Sequence, residues 1–346
     1  MDLFTPIVPV ELQHPNFINV MSPGRVGERE VVAGWAEGFP DRDNKFVREF
    51  QTTFNSSFWE VYLYRLFRSY SLDLDWSHSS PDFWLRTPYG EVIVEAVTAN
   101  AAVGTVPEWE KPTMMTENVR KKEFWPLNRE AIIRISNALL AKVRKYGSHY
   151  QKLPHVPGKP FVIALAPFEQ ADFQYQYDRP MRALLYDDYV DEDAYVRNPE
   201  LFPDGPPSVK LGEIEKDNGS TFDLGIFEND QWSEVSAVIF SCVATWGKTV
   251  AMSTHARNGF VAATWGTNSS GESAKRMSRI GVPSETISDG LQIFHNPYAK
   301  NPLDLRVFRR KGVVQHYQSN AGWVREGYDD CLQSRTTHTF GLPIKG

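Results

Sequence analysis

Apolar side chains return at helical spacing in two parts of the chain. Between about residues 44 and 70 they recur at steps of three and four. The polar run at 55–57 is able to interrupt or cap a helix, so this segment predicts one helix or two shorter pieces. Residues 129–147 carry a single apolar stripe that ends at Gly147, a residue type suited to the position after a helix C terminus. The stripes consist of Phe58, Trp59, Tyr62, Leu63, Leu66, Phe67 and Tyr70 in the first segment, and of Ile132, Ile135, Leu139, Val143 and Tyr146 in the second.

Between and after these helices, short runs of β-branched and aromatic residues predict strands. The run at 159–168 is apolar throughout, which is typical of a strand buried on both faces. Because helix, strands, helix and strand follow one another, the chain is predicted to form a mixed α/β sandwich and not an all-β domain. The predicted strands lie at residues 71–76, 82–87, 91–98, 159–168, 235–243, 249–254, 260–265, 291–303 and 313–317.

Composition divides the chain into four regions. Residues 1–44 are rich in proline, glycine and mixed charge, which predicts an irregular N-terminal arm. Residues 45–168 hold the helices and strands of the predicted core. Residues 169–232 are acidic and are interpreted as an insertion or peripheral subdomain, whereas residues 233–346 carry strands that complete or flank the core.

The overall charge limits the classes of partner. The net charge is −6, so a nucleic acid would have to be held by local basic patches and metal ions. The two cysteines, Cys242 and Cys331, lack a metal-ligand spacing and fit a reduced, cytoplasmic protein. The N-terminal segment has no basic stretch before a long apolar run, and no segment approaches the roughly 18 apolar residues of a membrane span. We therefore expect a cytoplasmic protein with no signal peptide and no membrane partner.

The stretch SSPDFWLRTPYGEVIVEAVTAN, residues 79–100, places two acidic residues on a predicted hairpin. With Pro88 and Tyr89 at the centre of the turn, counting outward sets Asp82 opposite Glu95. Directly opposed residues share a face of the sheet, so the two Cβ atoms would lie about 5 Å apart. Such a pair is unfavourable unless one acid is protonated or a cation lies between them. Alternatively, a loop one residue longer or shorter would offset the pairing and leave both acids solvated at the sheet edge.

A third acid, Glu60, lies on the helix before the hairpin. It borders the apolar stripe, so its carboxyl group could reach over the sheet. Carboxylate oxygens together with a backbone carbonyl form a good site for Mg²⁺ or Mn²⁺. The alternative is a solvated glutamate that pairs with Tyr64 or Arg65 one turn further along.

This order of features resembles the PD-(D/E)xK nuclease superfamily, also called restriction endonuclease-like. The resemblance rests on a helix with an inward glutamate, the segments SPDF and VEAV on a hairpin, and a following helix and buried strand, and it covers about residues 45–168. It implies a restriction endonuclease-like α/β/α sandwich with a central mixed sheet, elaborated by the acidic insertion and a C-terminal extension. It also implies a metal-dependent endonuclease that hydrolyses phosphodiester bonds, in DNA more often than in RNA, in a restriction or defence setting and often as a homodimer. By the same resemblance, Asp82 and Glu95 bind Mg²⁺ (or Mn²⁺), and Glu60 binds a second ion or an outer-shell water.

The lysine of the family motif is missing, because the position two residues after Glu95 is Val97. In the family this lysine orients the attacking water and stabilises developing negative charge, which valine cannot do. Three explanations stay open. The function has moved to Lys142, about 65° from the stripe centre of helix 129–147 and able to extend from the packed face, a relocation that the superfamily tolerates. Otherwise Thr98 or a second metal ion takes over, or the site is inactive.

Two other functions remain as alternatives. A catalytically inactive nucleic-acid-binding or protein-interaction module would keep the nuclease fold, and Val97 favours it. A glycan hydrolase that uses Asp82 and Glu95 as an acid/base pair would need no metal. Basic clusters that are able to contact phosphate groups lie at residues 120–122, 142–145, 275–279 and 309–311.

Overall fold

The computed structural model describes residues 1–102, 104–110, 123–267 and 272–340, which form fifteen strands in these ranges. In chain order the strands are β1 (Asp73–Asp75), β2 (Phe83–Thr87), β3 (Gly90–Asn100), β4 (Phe161–Phe168), β5 (Tyr189–Val190), β6 (Ser208–Val209), β7 (Glu213–Glu215), β8 (Thr221–Asp223), β9 (Ala237–Phe240), β10 (Gly259–Gly266), β11 (Ser273–Arg279), β12 (Leu291–His295), β13 (Val313–Ser319), β14 (Gly322–Glu326) and β15 (Leu332–Thr339).

An eight-stranded mixed sheet forms the centre of the structure, in the order β1-β2-β3-β4-β9-β12-β13-β14. Strands β1, β2 and β3 are antiparallel, whereas β3, β4 and β9 run parallel to one another. Strand β12 is antiparallel to β9 and parallel to β13, and β14 returns antiparallel to β13. Strand β10 lies between β11 and β15 in a separate three-stranded sheet, and the pairs β5-β6 and β7-β8 form two small sheets.

Helices cover both faces of the central sheet. Helix α4 packs on one face, where its fully buried Trp59 donates an indole N–H bond of 3.0 Å to the carbonyl oxygen of Ala164 in β4. Helix α5 packs on the opposite face through the fully buried Ile135 and Leu139. The fold is therefore mixed α/β. The helices are α1 (Pro15–Val20), α2 (Val26–Trp35), α3 (Phe46–Thr52), α4 (Phe54–Ser69), α5 (Phe124–Ser148), α6 (Arg179–Tyr186), α7 (Glu192–Arg197) and α8 (Trp246–Met252).

The N-terminal region differs from the predicted irregular arm. Residues 1–44 contain α1 and α2, and Val32 and Trp35 of α2 belong to the core beside α4. Proline and glycine at 22–24 mark the boundary between these two short helices, and the tertiary contact with α4 outweighs the composition. Residues 44–70 form two helices, α3 and α4, but the break lies at Thr53, and the polar run at 55–57 lies inside α4 and does not interrupt it.

The segment after β9 also differs from the prediction. Residues 249–254 were expected to form a strand, but most of them belong to α8. The side chain of Thr245 accepts a hydrogen bond from the N–H of Gly247 at 3.2 Å and caps this helix. Strands β11, β14 and β15 were not predicted, because they are half-exposed and polar and carry little apolar alternation.

Three further sequence-based expectations bear on the molecule as a whole. Cys242 and Cys331 are free and buried. No helix within the described ranges combines the length and apolar character needed to cross a membrane. The basic cluster at 120–122 lies outside the described residues.

Candidate active site

The hairpin of β2 and β3 has the predicted register. Pairing runs outward from the turn and ends with Phe83 opposite Val94, which confirms the outward count. Asp82 is the next residue and lies at the position facing Glu95. Its Oδ2 accepts a hydrogen bond of 2.7 Å from the backbone N–H of Ala96. The side chain of Asp82 thus takes the place of a backbone hydrogen-bond partner where the pairing of β2 and β3 ends, and it is held against β3 beside Glu95.

Glu95 is fully buried (0% exposed) and surrounded by hydrogen-bond donors. Its Oε1 accepts from the amines of Lys142 at 2.7 Å and Lys145 at 3.1 Å, and its Oε2 accepts from the hydroxyl of Tyr150 at 2.8 Å. Hydrogen bonds between an ammonium and a carboxylate are among the stronger ones in proteins. They offset the large cost of burying this carboxylate, so Glu95 is a charged and well-fixed group.

Helix α5 brings the two amines to the strand. Lys142 and Lys145 follow the fully buried Leu139 at steps of three residues, on successive turns of the same side. The Lys142 side chain is 20% exposed and that of Lys145 is 48% exposed. Their stems pack along the helix while both amines reach Glu95. The structure thus brings together Lys142 and the second strand acid, as the sequence analysis expected.

Two donors at this site were missed by the sequence analysis. Lys145 had a signal, since it follows Lys142 by one turn on the same flank of the helix. Tyr150 lies just beyond the end of α5, in a segment without periodicity, so no sequence pattern links its hydroxyl to Glu95.

Glu60 approaches the strand acids from α4. Burial, together with the negative charges of Asp82, Glu49 and Glu95, raises the pKa of its carboxyl group to about 8. Charges act on a pKa at short range, so Glu60 lies within electrostatic reach of both strand acids. Its side chain is partly buried, and the alternative of a fully solvated glutamate does not describe it.

The two strand acids have opposite pKa shifts. Burial and the negative charge of Glu95 raise the pKa of Asp82 to about 6, although Lys142 acts in the opposite direction. Burial also disfavours ionised Glu95, but Lys142 and Lys145 outweigh burial and lower its pKa. Glu95 is therefore ionised at neutral pH, whereas Asp82 and Glu60 lie where additional positive charge would be stabilising.

The donor chemistry of this site fits Mg²⁺. Asp82 and Glu95 present carboxylate oxygens, and Mg²⁺ commonly binds through one or two carboxylates while it keeps several waters. The raised pKa of Asp82 and of Glu60 means that their ionised forms are disfavoured, and a bound cation would stabilise those forms. Within the described ranges, however, no three His, Cys, Asp or Glu side chains are arranged to hold a metal ion. A metal would thus be held by few protein ligands and mainly by water.

The motif position and its neighbour do not supply a cation. Val97 packs on the α5 side of the sheet, on the same face as Glu95. Thr98 points to the opposite face, and its hydroxyl oxygen accepts a hydrogen bond of 3.1 Å from the side chain of Asn100. Lys142 and Thr98 are the two residues considered as replacements for the motif lysine, and the geometry favours Lys142.

A cluster of stacked rings lies on β2 beside the acids. The imidazoles of His78 and His155 are parallel with centroids 3.7 Å apart, and each lies 5.4 Å from the indole of Trp84. A ring nitrogen of His155 lies 2.9 Å from the carbonyl oxygen of Ser80, and the amine of Lys159 lies over the Trp84 ring at 5.1 Å. Rings combined with a cation are typical of surfaces that stack nucleic-acid bases. No sequence pattern reveals this cluster, because its two histidines lie in separate loops far apart in the sequence.

A second group of buried charges is structural. Lys248 is fully buried, and its amine bonds Glu285 at 3.1 Å and the carbonyl oxygens of Thr286 and Asp289 at 3.0 and 2.9 Å. Glu285 also pairs with Arg335 at 3.1 Å. Each charge in this group has a partner of opposite sign and little access to solvent, so the group serves to hold α8 against the loop before β12.

Two of the predicted basic clusters meet on the surface. Arg276 and Lys311 both bond Asp330, at 2.6 and 2.8 Å. Arg276 of the cluster on β11 therefore lies beside the cluster at 309–311, and these cations form a patch that could contact phosphate groups, whereas Lys275 and Arg279 alternate to the other face of β11.

Comparison with known proteins gives no family for the chain. No protein-family model matches it, and no match is found among curated proteins or among solved structures. The functional argument therefore depends on the geometry of the site.

Proposed function

We propose that the chain is a Mg²⁺-dependent (or Mn²⁺-dependent) endonuclease of the PD-(D/E)xK type that hydrolyses phosphodiester bonds, in DNA in preference to RNA. The proposal depends above all on the 2.7 Å bond between the amine of Lys142 and Glu95. It supports a relocated motif lysine, because a cation lies beside the second strand acid although the motif position holds Val97. A restriction or defence setting and a homodimer belong to the same proposal and depend on the family resemblance.

The restriction endonuclease-like fold is part of this proposal. A central mixed sheet with α4 on one face and α5 on the other supports it. The order of the acids along the elements supports it as well. Glu60 lies on the helix before the hairpin, Asp82 immediately before β2 and Glu95 within β3.

In this proposal each side chain has a separate role. Asp82 and Glu95 would hold the metal, and Glu60 would hold a second ion or an outer water. Bound Mg²⁺ supplies charge that polarises the phosphate and lowers the pKa of a water molecule. Lys142 would stabilise negative charge on the phosphate oxygens, and Lys145 would keep Glu95 in position.

A nuclease assay tests the proposal directly. The purified protein is incubated with plasmid, linear duplex, single-stranded DNA and RNA in Mg²⁺, Mn²⁺ or EDTA. We expect metal-dependent cleavage that Asp82→Ala and Glu95→Ala abolish and that Lys142→Ala slows by about 10²–10³-fold. Arg197→Ala removes an exposed cation from α7, outside the predicted basic clusters, and should leave the rate unchanged. Cleavage in EDTA, or cleavage by Asp82→Ala at the wild-type rate, would contradict the proposal.

A binding module without catalysis is a second candidate. Both carboxylate oxygens of Glu95 already accept bonds from Lys142, Lys145 and Tyr150, and this favours a cluster that is satisfied without a metal. Such a module would retain nucleic acid in EDTA and would cleave none of the substrates in any metal. Hydrolysis of a glycan that survives EDTA would instead favour the acid/base pair of a glycosidase.

A further inference from the structure

A cavity of about 320 Å³ lies at the carboxyl ends of β4 and β9. Phe168, the last residue of β4, forms part of its wall, and so do Thr245 and Trp246, which follow β9. Asn55 and Phe58 of α4 form another part of the wall. This volume falls at the lower end of the range of small-molecule sites.

At this position the chain connections that follow β4 and β9 diverge. After β4 the chain continues into α6, which packs beside α5. After β9 it continues into α8, which packs against α2 on the face that α4 covers. The two connections therefore leave the parallel strands towards opposite faces and open a crevice between their carboxyl ends. In open α/β sheets, ligands bind in crevices of this kind.

Six of the residues that line the cavity are aromatic. The Trp246 ring packs against the rings of Phe54 and Phe58, and each centroid lies 6.0 Å from that of Trp246. These rings form one continuous aromatic surface, on which a flat ring that stacks gains dispersion and quadrupole contacts. The aromatic lining residues are Phe54, Phe58, Trp109, Phe168, Phe173 and Trp246.

Polar groups at the cavity point to a flat ring with hydrogen-bond acceptors. The indole N–H of Trp246 is buried and has no hydrogen-bond partner among the described residues, which costs free energy unless a ligand accepts the bond. Asn16 donates to the side chain of Asn55 at 2.9 Å, and Asn55 donates to Glu108 at 2.7 Å. These two amides form one fixed polar edge on the wall.

Arg25 adds a positively charged side chain to the cavity, and it is only weakly paired with a carboxylate. The nearest carboxylate oxygen to the guanidinium of Arg25 belongs to Glu28, at 4.0 Å, whereas Arg257 bonds the same oxygen at 2.5 Å. Glu28 is thus engaged mainly by Arg257. Arg25 lines the cavity with about a third of its side chain exposed (30%) and is available to an anionic group of a ligand.

We propose that this cavity binds a nucleotide, with the base stacked on the aromatic surface, a base acceptor on the indole N–H of Trp246 and the phosphate on Arg25. The proposal does not depend on the proposed nuclease function. Asn55 and Phe58 lie about 140° and 160° around α4 from Glu60, so the cavity and the acids lie on different flanks of the helix.

Nucleotide binding is measurable through tryptophan fluorescence, because Trp109 and Trp246 line the cavity. The full-length protein is titrated with adenosine, guanosine, cytidine and thymidine monophosphates in EDTA, and again as the Asp82→Ala variant. We expect saturable quenching by at least one nucleotide, with the same dissociation constant in both proteins. Binding that requires Mg²⁺ or disappears in Asp82→Ala would assign the nucleotide to the acids and overturn the inference, whatever the outcome of the nuclease assay.

Variants at Arg25 and Trp246 test the phosphate contact and the base contact separately. Arg25→Gln should weaken nucleotide binding by about tenfold and should remove the preference for nucleotide over nucleoside, because it deletes a charge-assisted bond. Arg65→Gln, an exposed arginine of α4 outside the cavity, is the matched control. Trp246→Phe keeps the ring and deletes the N–H. Asn19→Trp blocks the cavity from an exposed position, so loss of binding there does not depend on a core substitution.

The source of the nucleotide follows from two further titrations. If a short single-stranded oligonucleotide binds through Arg25 and Trp246 and mononucleotides do not bind, the cavity accepts an unstacked base of a nucleic-acid strand. Mononucleotide binding assigns it to a free nucleotide. The inference is wrong if neither ligand quenches the fluorescence, or if Arg25→Gln and Asn19→Trp bind as the wild type does.

Discussion

At the scale of single residues, the raised pKa of Glu60 predicts how stability depends on pH. Its carboxyl pKa rises from 4.5 to about 8 in the folded protein. Between these values the folded protein holds a proton that the unfolded chain has lost, so the free energy of unfolding decreases as the pH rises through this window. Glu60→Gln removes the titration and should stabilise the protein by about 1–3 kcal/mol at pH 8, with little effect at pH 4.5.

Urea denaturation at pH 4.5, 6 and 8 measures this effect. Glu200→Gln changes an exposed glutamate and serves as the control. A difference between Glu60→Gln and wild type that is constant over these pH values would show that the carboxyl group of Glu60 does not titrate in the window.

The hydroxyl of Tyr150 carries a second prediction at this scale. Tyr150→Phe removes the donor to Glu95 Oε2, and bonds to a buried charge contribute about 1.5–3 kcal/mol. The variant should be destabilised by that amount in thermal or urea denaturation, and metal affinity should change as Glu95 loses a fixed partner. Tyr89→Phe, on an exposed tyrosine of the hairpin turn, is the control. Equal stability of the two variants would contradict the role assigned to Tyr150.

The positions of the site acids could be predicted from the sequence because they depend on spacing within a single hairpin. Asp82 and Glu95 are related by counting along one hairpin, and Lys142 by counting along one helix. The approach of Tyr150 to Glu95 depends instead on how α5 docks on β3 and where the chain turns after it. No periodicity records that docking, and the same holds for the stacking of His155 on the hairpin.

At the scale of elements, the buried ion pair of α8 predicts a large effect of a single truncation. Glu285→Ala leaves the fully buried amine of Lys248 without its carboxylate, and breaking a buried pair of this kind costs about 3–5 kcal/mol. Glu234→Ala breaks the exposed pair with Lys300, at 2.9 Å, and should cost at most about 1 kcal/mol. Urea denaturation compares the two variants, and similar losses would mean that the Lys248 network contributes no more than a surface pair.

The same element explains one wrong prediction. The segment TVAMST is rich in small and β-branched residues, which favour a strand. Its preceding Thr245 caps a helix, and the amine of Lys248 finds three partners only from helical backbone geometry. Long-range partners at Glu285 and Asp289 thus outweigh local propensity, and they lie too far along the sequence for the pattern of the segment to reveal them.

At the scale of the whole molecule, the α/β class followed from the order of helices and strands, whereas the second sheet did not. Strand β10 pairs with β11 and with β15, which lies near the end of the described chain. Both partners are polar on their exposed faces, so the pairing leaves little hydrophobic signal. On β11 of this sheet, Lys275 and Arg279 lie on one face, whereas Arg276 lies on the other, on the surface that it shares with Lys311.

That surface predicts how an acidic protein would hold nucleic acid. With a net charge of −6, the molecule repels a polyanion overall, so binding requires a local patch, and Arg276 together with the cluster at 309–311 provides one. Replacing Arg276, Arg310 and Lys311 by alanine should weaken binding similarly for all sequences and lower the slope of log K against log salt by up to about 3. Fluorescence anisotropy with labelled DNA in EDTA, at several salt concentrations, measures both. An unchanged slope would place the phosphate contacts elsewhere. The control removes three exposed cations from other parts of the surface, Arg197, Lys210 and Lys300.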